Sequence, residues 1–207
     1  MNFEGVRLTA RCALAALLLA APLAAQPNGA TWPPRLQAPA TAALSALADS
    51  ARVVGLPLAP LYDKAAEGVL KGADDARIVA AVRKLVGELG AARAVLGTAA
   101  PPDALVAGAA ALRLGVDREA LRQLATVAAR GGAGQALAVP LGAVADLVSR
   151  GASAQLAVST VRQFAARGAA AADYVALART VDGNILMGLS PEAAVERAAD
   201  AVGRRRP

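Results

Sequence analysis

The sequence predicts an all-α protein of about eight to nine helices. Of the 207 residues, 56% are hydrophobic but only 2% are aromatic, so the apolar content is mostly Ala, Leu and Val. Ala and Leu are strong helix formers. Apolar residues recur three and four positions apart, as on one face of a helix. No segment alternates apolar and polar residues for long enough to indicate a β-strand.

Residues 1–25 have the three parts of a secretory signal peptide. Arg7 and Arg11 make the positive region, residues 12–21 the apolar region, and small residues precede Gln26. The alternative is an uncleaved membrane anchor, but a span needs about 20 apolar residues and this run is shorter. We therefore predict cleavage near Ala25 and a periplasmic or secreted protein.

Cleavage changes which chemistry the chain can offer. It removes Cys12, the one cysteine, so the mature helices have no disulfide and hold together by packing. It also lowers the net charge of +6 by one. The longest later uncharged run, residues 131–145, is interrupted by glycines and a proline, so we expect no transmembrane segment after cleavage.

The mature chain is expected to have three parts. Residues 26–39 are rich in proline and predict an extended tether. Residues 40–203 predict a single α-helical domain, with a first helix from residue 41 or 42 to 54, and residues 204–207 form a basic tail. Trp32 lies in the tether. We expect it to fold onto the first helix, and the alternative is a binding role.

A recurrent turn divides the helical domain. Each copy is a glycine, an apolar residue and then Asp or Ser, and the copies begin at Gly72, Gly115, Gly151 and Gly188. The glycine can end one helix in the left-handed conformation, and the Asp or Ser can cap the next helix. Gly55 is expected to end a helix in the same way. The spacing fits helix pairs that stack into a solenoid-like layer, and the alternative is an irregular helical bundle.

Two local features carry further expectations. Gly68 lies inside a predicted helix at residues 58–71, where it costs about 1 kcal/mol relative to Ala. We expect a neighbouring helix to approach closely there. A second helix, predicted over residues 173–187, is expected to break at Asp182-Gly183-Asn184.

The composition excludes several kinds of catalysis. The chain has no His, and the mature chain has no Cys, so Ser–His–Asp and Cys–His catalysis and the usual zinc, haem and iron–sulfur sites are not expected. No phosphate-binding G-x-x-x-x-G-K-[ST] loop occurs. We expect no cofactor. A pair of carboxylates could still act, and the candidates are Glu67, Asp74, Asp117 and Glu119.

The best candidate for a binding surface is a charged group around the first recurrent turn, made of Lys64, Glu67, Lys71 and Arg77. The alternative is an ordinary solvated helix face. The basic residues are otherwise scattered over several helices, and the leader directs the chain away from cytoplasmic nucleic acid, so we expect no nucleic-acid partner.

The same region carries a resemblance over about thirty residues. Its sequence is similar to a set of uncharacterised exported, Ala-rich helical proteins of GC-rich bacteria. The similar positions are Gly55-Leu56-Pro57, Pro60-Leu61, Lys64, Glu67-Gly68, Lys71-Gly72 and Arg77-Ile78. The resemblance implies an exported helical protein and implies no activity.

The sequence therefore favours an exported, non-catalytic helical protein that binds or scaffolds an unknown protein or envelope component. A second hypothesis is a carboxylate-dependent hydrolase that acts on cell-envelope material. A third is a peripheral envelope protein held at an anionic surface by Arg204, Arg205 and Arg206.

Overall fold

The computed structural model describes residues 31–130 and 136–203. The predicted signal peptide, the first part of the tether, the glycines at 131–134 and the basic tail lie outside these ranges. Within them the fold is all-α, as predicted, with no strand. Nine helices are described: α1 (Ala38–Val53), α2 (Ala59–Leu70), α3 (Asp75–Leu96), α4 (Pro102–Arg113), α5 (Arg118–Arg130), α6 (Ala138–Ser149), α7 (Ala154–Ala166), α8 (Ala171–Leu186) and α9 (Pro191–Gly203).

The end of the predicted tether is part of the folded body. Helix α1 begins at Ala38, inside the segment expected to be extended, because Pro39 is acceptable in the first turn of a helix. Before it, Leu36 is buried. The indole nitrogen of Trp32 donates to Ser45 Oγ at 3.0 Å, and its ring centroid lies 4.3 Å from that of Tyr62. Trp32 therefore folds onto α1, as expected, and also contacts α2.

The predicted turn glycines have the left-handed backbone that their positions require. Positive φ angles occur at Gly55, Gly72, Gly115, Gly151 and Gly188, and also at Gly97 and Gly168. At six of these seven glycines, Gly97 excepted, the glycine N–H donates to the carbonyl three residues back and the next N–H to the carbonyl five back. This Schellman arrangement satisfies carbonyls that a helix end leaves free.

Side-chain caps follow the four recurrent turns. Asp74 accepts from the backbone N–H of Arg77 at 2.8 Å, and Asp117 accepts from two N–H groups of α5. Ser153 and Ser190 accept from the first turns of α7 and α9 in the same way. Each turn thus ends one helix and starts the next within a few residues.

The helices contact their near neighbours in the chain. Every strongly contacting pair among the described helices is one or two positions apart in helix order. Helices α1, α3, α5, α7 and α9 form one row of successive contacts, and α4, α6 and α8 form a second. We call these the odd row and the even row. The four recurrent turns each connect an even helix to the next odd helix.

Small residues allow close helix contacts in the core. A Cβ added to Gly68 would lie 2.7 Å from Ile78 Cγ1, so α3 approaches α2 at this glycine, as expected. A Cβ on Gly108 of α4 would lie 2.8 Å from Leu96 of α3. One buried cluster covers α1 to α3 and part of α4, and a second covers α4 to α9.

The predicted break in α8 is wrong, because the helix is continuous from Ala171 to Leu186. Asn184 is 4% exposed, and its amide nitrogen donates to the carbonyl of Ala194 in α9 at 3.0 Å. Gly183 has open space beside it and keeps a helical backbone. The tertiary contact of Asn184 therefore outweighs the turn preference of the Asp-Gly-Asn sequence.

Candidate functional site

The predicted charged group is only partly assembled. Glu67 accepts hydrogen bonds from Lys64, at 2.8 Å, and from Lys71, both on α2 or its last turn. These two ammonium groups lower the pKa of Glu67 to about 2. The three side chains are partly or largely exposed, and because two lysines face one carboxylate the group stays positively charged.

Arg77 does not join this group. Its guanidinium Nε lies 3.3 Å from Asp74 Oδ2, and its backbone N–H donates to the same carboxylate. Arg77 is the third residue of α3, which places it beside the residue that caps that helix. Arg77 therefore belongs to a separate ion pair, and a binding surface of Lys64, Glu67, Lys71 and Arg77 stays a prediction.

The four candidate carboxylates each have a local structural partner. Glu67 binds the lysines, and Asp74 caps α3. Asp117 caps α5, and the N–H groups of Ala120 and Glu119 lower the pKa of its carboxyl. Glu119 pairs with Arg122 and accepts from Gln123. Glu67 is half-exposed and the other three are exposed, and Glu67 and Asp117 belong to different helix pairs.

A groove between two helices of the even row is a candidate site that the sequence analysis did not identify. This α6–α8 groove has a volume of about 510 Å³. Small and aliphatic residues line most of its length: Val139, Gly142, Ala143, Ala171, Val175 and Ala178. Ligand sites are typically concave and mostly apolar, with a few placed polar groups, and about 300–1,000 Å³ is a common size.

An ion-pair network lies in the wall of the α6–α8 groove. Arg150 donates through Nε and Nη2 to the two carboxylate oxygens of Asp182, at 2.6 and 3.2 Å. Arg150 also pairs with Asp146 one turn before it. Asp182 lies on α8, so the network ties α8 to α6. The Arg150 guanidinium lowers the pKa of Asp182, and the hydrogen bond to Asp182 raises the pKa of Arg150.

Tyr174 is the unusual member of the groove wall. Its side chain is 4% exposed and contacts Phe164 of α7, with ring centroids 5.8 Å apart. Among the buried side-chain polar atoms that the structure describes, only its hydroxyl has no hydrogen-bond partner. Burial raises the pKa of Tyr174 to about 12, so the hydroxyl keeps its proton at neutral pH. An unpaired buried hydroxyl costs about 1–3 kcal/mol.

A second groove lies between two helices of the odd row. This α5–α7 groove, also about 510 Å³, is lined by Gly115, Asp117 and Ala120 on one side and by residues of α7 on the other. Arg162 of α7 lies in its wall and donates to Gln123 Oε1 of α5 at 3.5 Å. Its polar groups are hydrogen-bonded locally: Asp117 caps α5, and Ser159 bonds to the carbonyl of Leu156.

Comparisons with protein-family models, with curated proteins and with solved structures found no match for this chain. In the part of the chain that the structure describes, no helix is long and apolar enough to cross a membrane. Over the same residues, no three Asp or Glu side chains converge in a way that could hold a metal ion.

Proposed function

We propose that the protein is an exported, non-catalytic helical module that binds or scaffolds a component of the cell envelope, built from stacked helix pairs. The leader-like residues 1–25 support export. The two rows of helix contacts and the recurrent turns between them support the stacked pairs.

One observation carries the choice of binding over catalysis. One pair of neighbouring helices in each row, α5 with α7 and α6 with α8, leaves a groove at its surface, and both grooves are of ligand size. The candidate carboxylates, in contrast, are occupied as helix caps or surface ion pairs. Stacked helical repeats commonly present such surfaces to partners.

The proposal is tested by expressing the full-length chain with a C-terminal tag in a diderm bacterium and cross-linking intact cells. We expect the protein in the periplasmic or secreted fraction, with discrete cross-linked species of higher mass. The control is Leu18→Arg, which interrupts the apolar region of the leader and should keep the chain in the cytoplasm. A wild-type chain that stays cytoplasmic contradicts the proposal.

The hydrolase remains the second candidate, and it makes a separate prediction. A carboxylate-dependent enzyme must lose envelope-hydrolysing activity when its acid pair is removed. Turnover of isolated cell-wall material by the wild-type protein, abolished by Asp117→Asn with Glu119→Gln, would favour the hydrolase. We expect no turnover by either protein.

A further inference from the structure

We propose that the α6–α8 groove binds a small carboxylate with an apolar body, whose oxygen accepts from the Tyr174 hydroxyl and whose charge is balanced by Arg179. The inference rests on the proposed binding function and assigns a ligand class to one site. Three features support it: the apolar wall of the groove, the unpaired hydroxyl of Tyr174 in that wall, and Arg179, which makes no ion pair with another described residue.

The apolar lining of the groove favours a ligand with an apolar body. Along the facing sides of α6 and α8 the wall consists of Gly142, Ala143, Ala178 and two valines. Val175 is 51% exposed, although it is a large aliphatic residue on this wall. An alkyl or aryl group that covers this surface gains about 25 cal/mol for each Å² removed from water.

The Tyr174 hydroxyl favours a hydrogen-bond acceptor. It is protonated and lacks a partner among the described residues, so a ligand oxygen would remove the cost of the unpaired donor. The hydroxyl is closed off from bulk water. A ligand therefore reaches it only if α6 and α8 separate slightly, and the ion pair of Arg150 with Asp182 connects these two helices.

The formal charges of the groove cancel, but Arg179 gives it a local contact for an anionic head group. Asp146 and Asp182 are both paired with Arg150, so the acids in this wall are already neutralised in part. Arg179 also lines the groove, is exposed, and makes no ion pair with another described residue. A guanidinium group can donate two parallel hydrogen bonds to the two oxygens of one carboxylate. A ligand with an apolar body and one carboxylate matches all three features.

Decanoate is the probe, and decanol is its uncharged counterpart. The protein is produced from the full-length gene, and binding is measured by equilibrium dialysis below the micelle concentration, with amide chemical shifts recorded in parallel. We expect saturable decanoate binding at one site, weaker decanol binding, and shift changes confined to α6, α8 and their neighbours.

Three variants locate the site. Tyr174→Phe keeps the ring and removes the donor, so decanoate affinity should fall about tenfold while the thermal midpoint stays the same or rises. Arg179→Gln should weaken decanoate several-fold and leave decanol unchanged. Ala178→Leu fills the groove and should abolish binding of both. The matched control, Arg162→Gln in the α5–α7 groove, should bind decanoate like the wild type.

Two binding results would overturn this assignment. One is a wild-type protein that binds no decanoate, and the other is equal affinity in the wild type, Tyr174→Phe and Arg179→Gln. Neither result decides the proposed function, because export and cross-linking in the envelope are measured separately. A lower thermal midpoint for Tyr174→Phe would mean that the hydroxyl already has a partner in the free protein, and this also contradicts the proposal.

Discussion

At the scale of single residues, the space beside a glycine decides what a substitution there does to stability. Gly68 faces Ile78 of α3, and a Cβ would lie 2.7 Å from Ile78 Cγ1, whereas Gly87 of α3 has nothing within 4 Å. Both are inside helices, where alanine is favoured by about 1 kcal/mol on propensity alone. The two glycines therefore separate the effect of packing from that of propensity.

We predict that Gly68→Ala destabilises the protein by about 1–2 kcal/mol, because overpacking a close helix contact outweighs the propensity gain. Gly87→Ala should stabilise it by about 0.5–1 kcal/mol. Urea unfolding followed by circular dichroism measures both. Equal effects of the two substitutions would mean that α2 and α3 are not in close contact at Gly68.

The charged group of α2 makes a prediction about titration. The pKa of Glu67 is held at about 2 by the hydrogen bonds from Lys64 and Lys71. Because this folded-state pKa is below the ordinary value of 4.5, the contribution of Glu67 to stability is present above pH 4.5 and is lost as the pH falls towards 2.

A pH titration of the Glu67 side-chain carboxyl by NMR should find this low pKa, and Lys64→Met should raise it. High salt should also raise it, since the group is exposed. An ordinary pKa in the wild type would show that the lysines are dispersed in solution.

At the scale of elements, the recurrent turns decide where helices begin and end. Asp117 is a representative cap, because it accepts from Glu119 N at 2.8 Å and from Ala120 N at 3.0 Å. These bonds lower its pKa, so the cap is strongest above the ordinary pKa of 3.8 and weakens as the pH falls through the lower folded-state value.

We expect Asp117→Ala to lower the unfolding free energy at neutral pH, and to lower it less at pH 2, where the wild-type carboxyl is more protonated. Asp63→Ala is the control, because Asp63 is an exposed residue inside α2. Thermal unfolding at both pH values measures the difference. A cost that does not change with pH would show that the charge of Asp117 is unimportant to the cap.

The glycine of the same turn gives a second prediction at this scale. Gly115 has a φ of +88°, a conformation that costs a residue with a side chain about 1–2 kcal/mol. Gly115→Ala should therefore destabilise the protein by about that amount. Gly142→Ala, inside α6 with open space beside it, should not. Equilibrium unfolding distinguishes them, and an equal effect at both positions would contradict the turn assignment.

How far the sequence predicts the elements depends on the range of the interactions involved. Helix type and turn position follow from local signals, such as glycine before an apolar residue and a capping Asp or Ser. The Asp182-Gly183-Asn184 sequence misleads because the deciding contact, from Asn184 to the carbonyl of Ala194, is tertiary. The ion pair of Arg77 with Asp74, three residues before it, is a local interaction instead.

At the scale of the whole molecule, the fold is predictable and the grooves are not. Small and apolar residues recur three and four positions apart along each of α6 and α8. Val139 and Gly142 of α6 and Ala178 of α8 belong to these patterns, which ordinarily indicate core residues. Only the packing of α6 beside α8 shows that this surface remains open. The unpaired hydroxyl of Tyr174 is equally invisible in the sequence, because its environment comes from three helices.

The first residues that the structure describes pack onto the helices. Trp32, the one tryptophan in the chain, is held by Ser45 and Tyr62, only a few residues after the predicted cleavage position. We predict that tryptophan fluorescence and far-UV circular dichroism follow the same unfolding transition. Ser45→Ala should lower the fluorescence midpoint by removing the partner of the indole N–H. A separate, earlier fluorescence transition would show that this segment is not integrated with the helices.

The account depends most on export of the chain. The most direct test is the intact mass and N-terminal sequence of the protein recovered from cells that express the full-length gene. We predict a chain that begins at Gln26 or within one or two residues of it, in the periplasmic or secreted fraction. A chain that begins at or next to Met1 and stays in the cytoplasm would contradict the account.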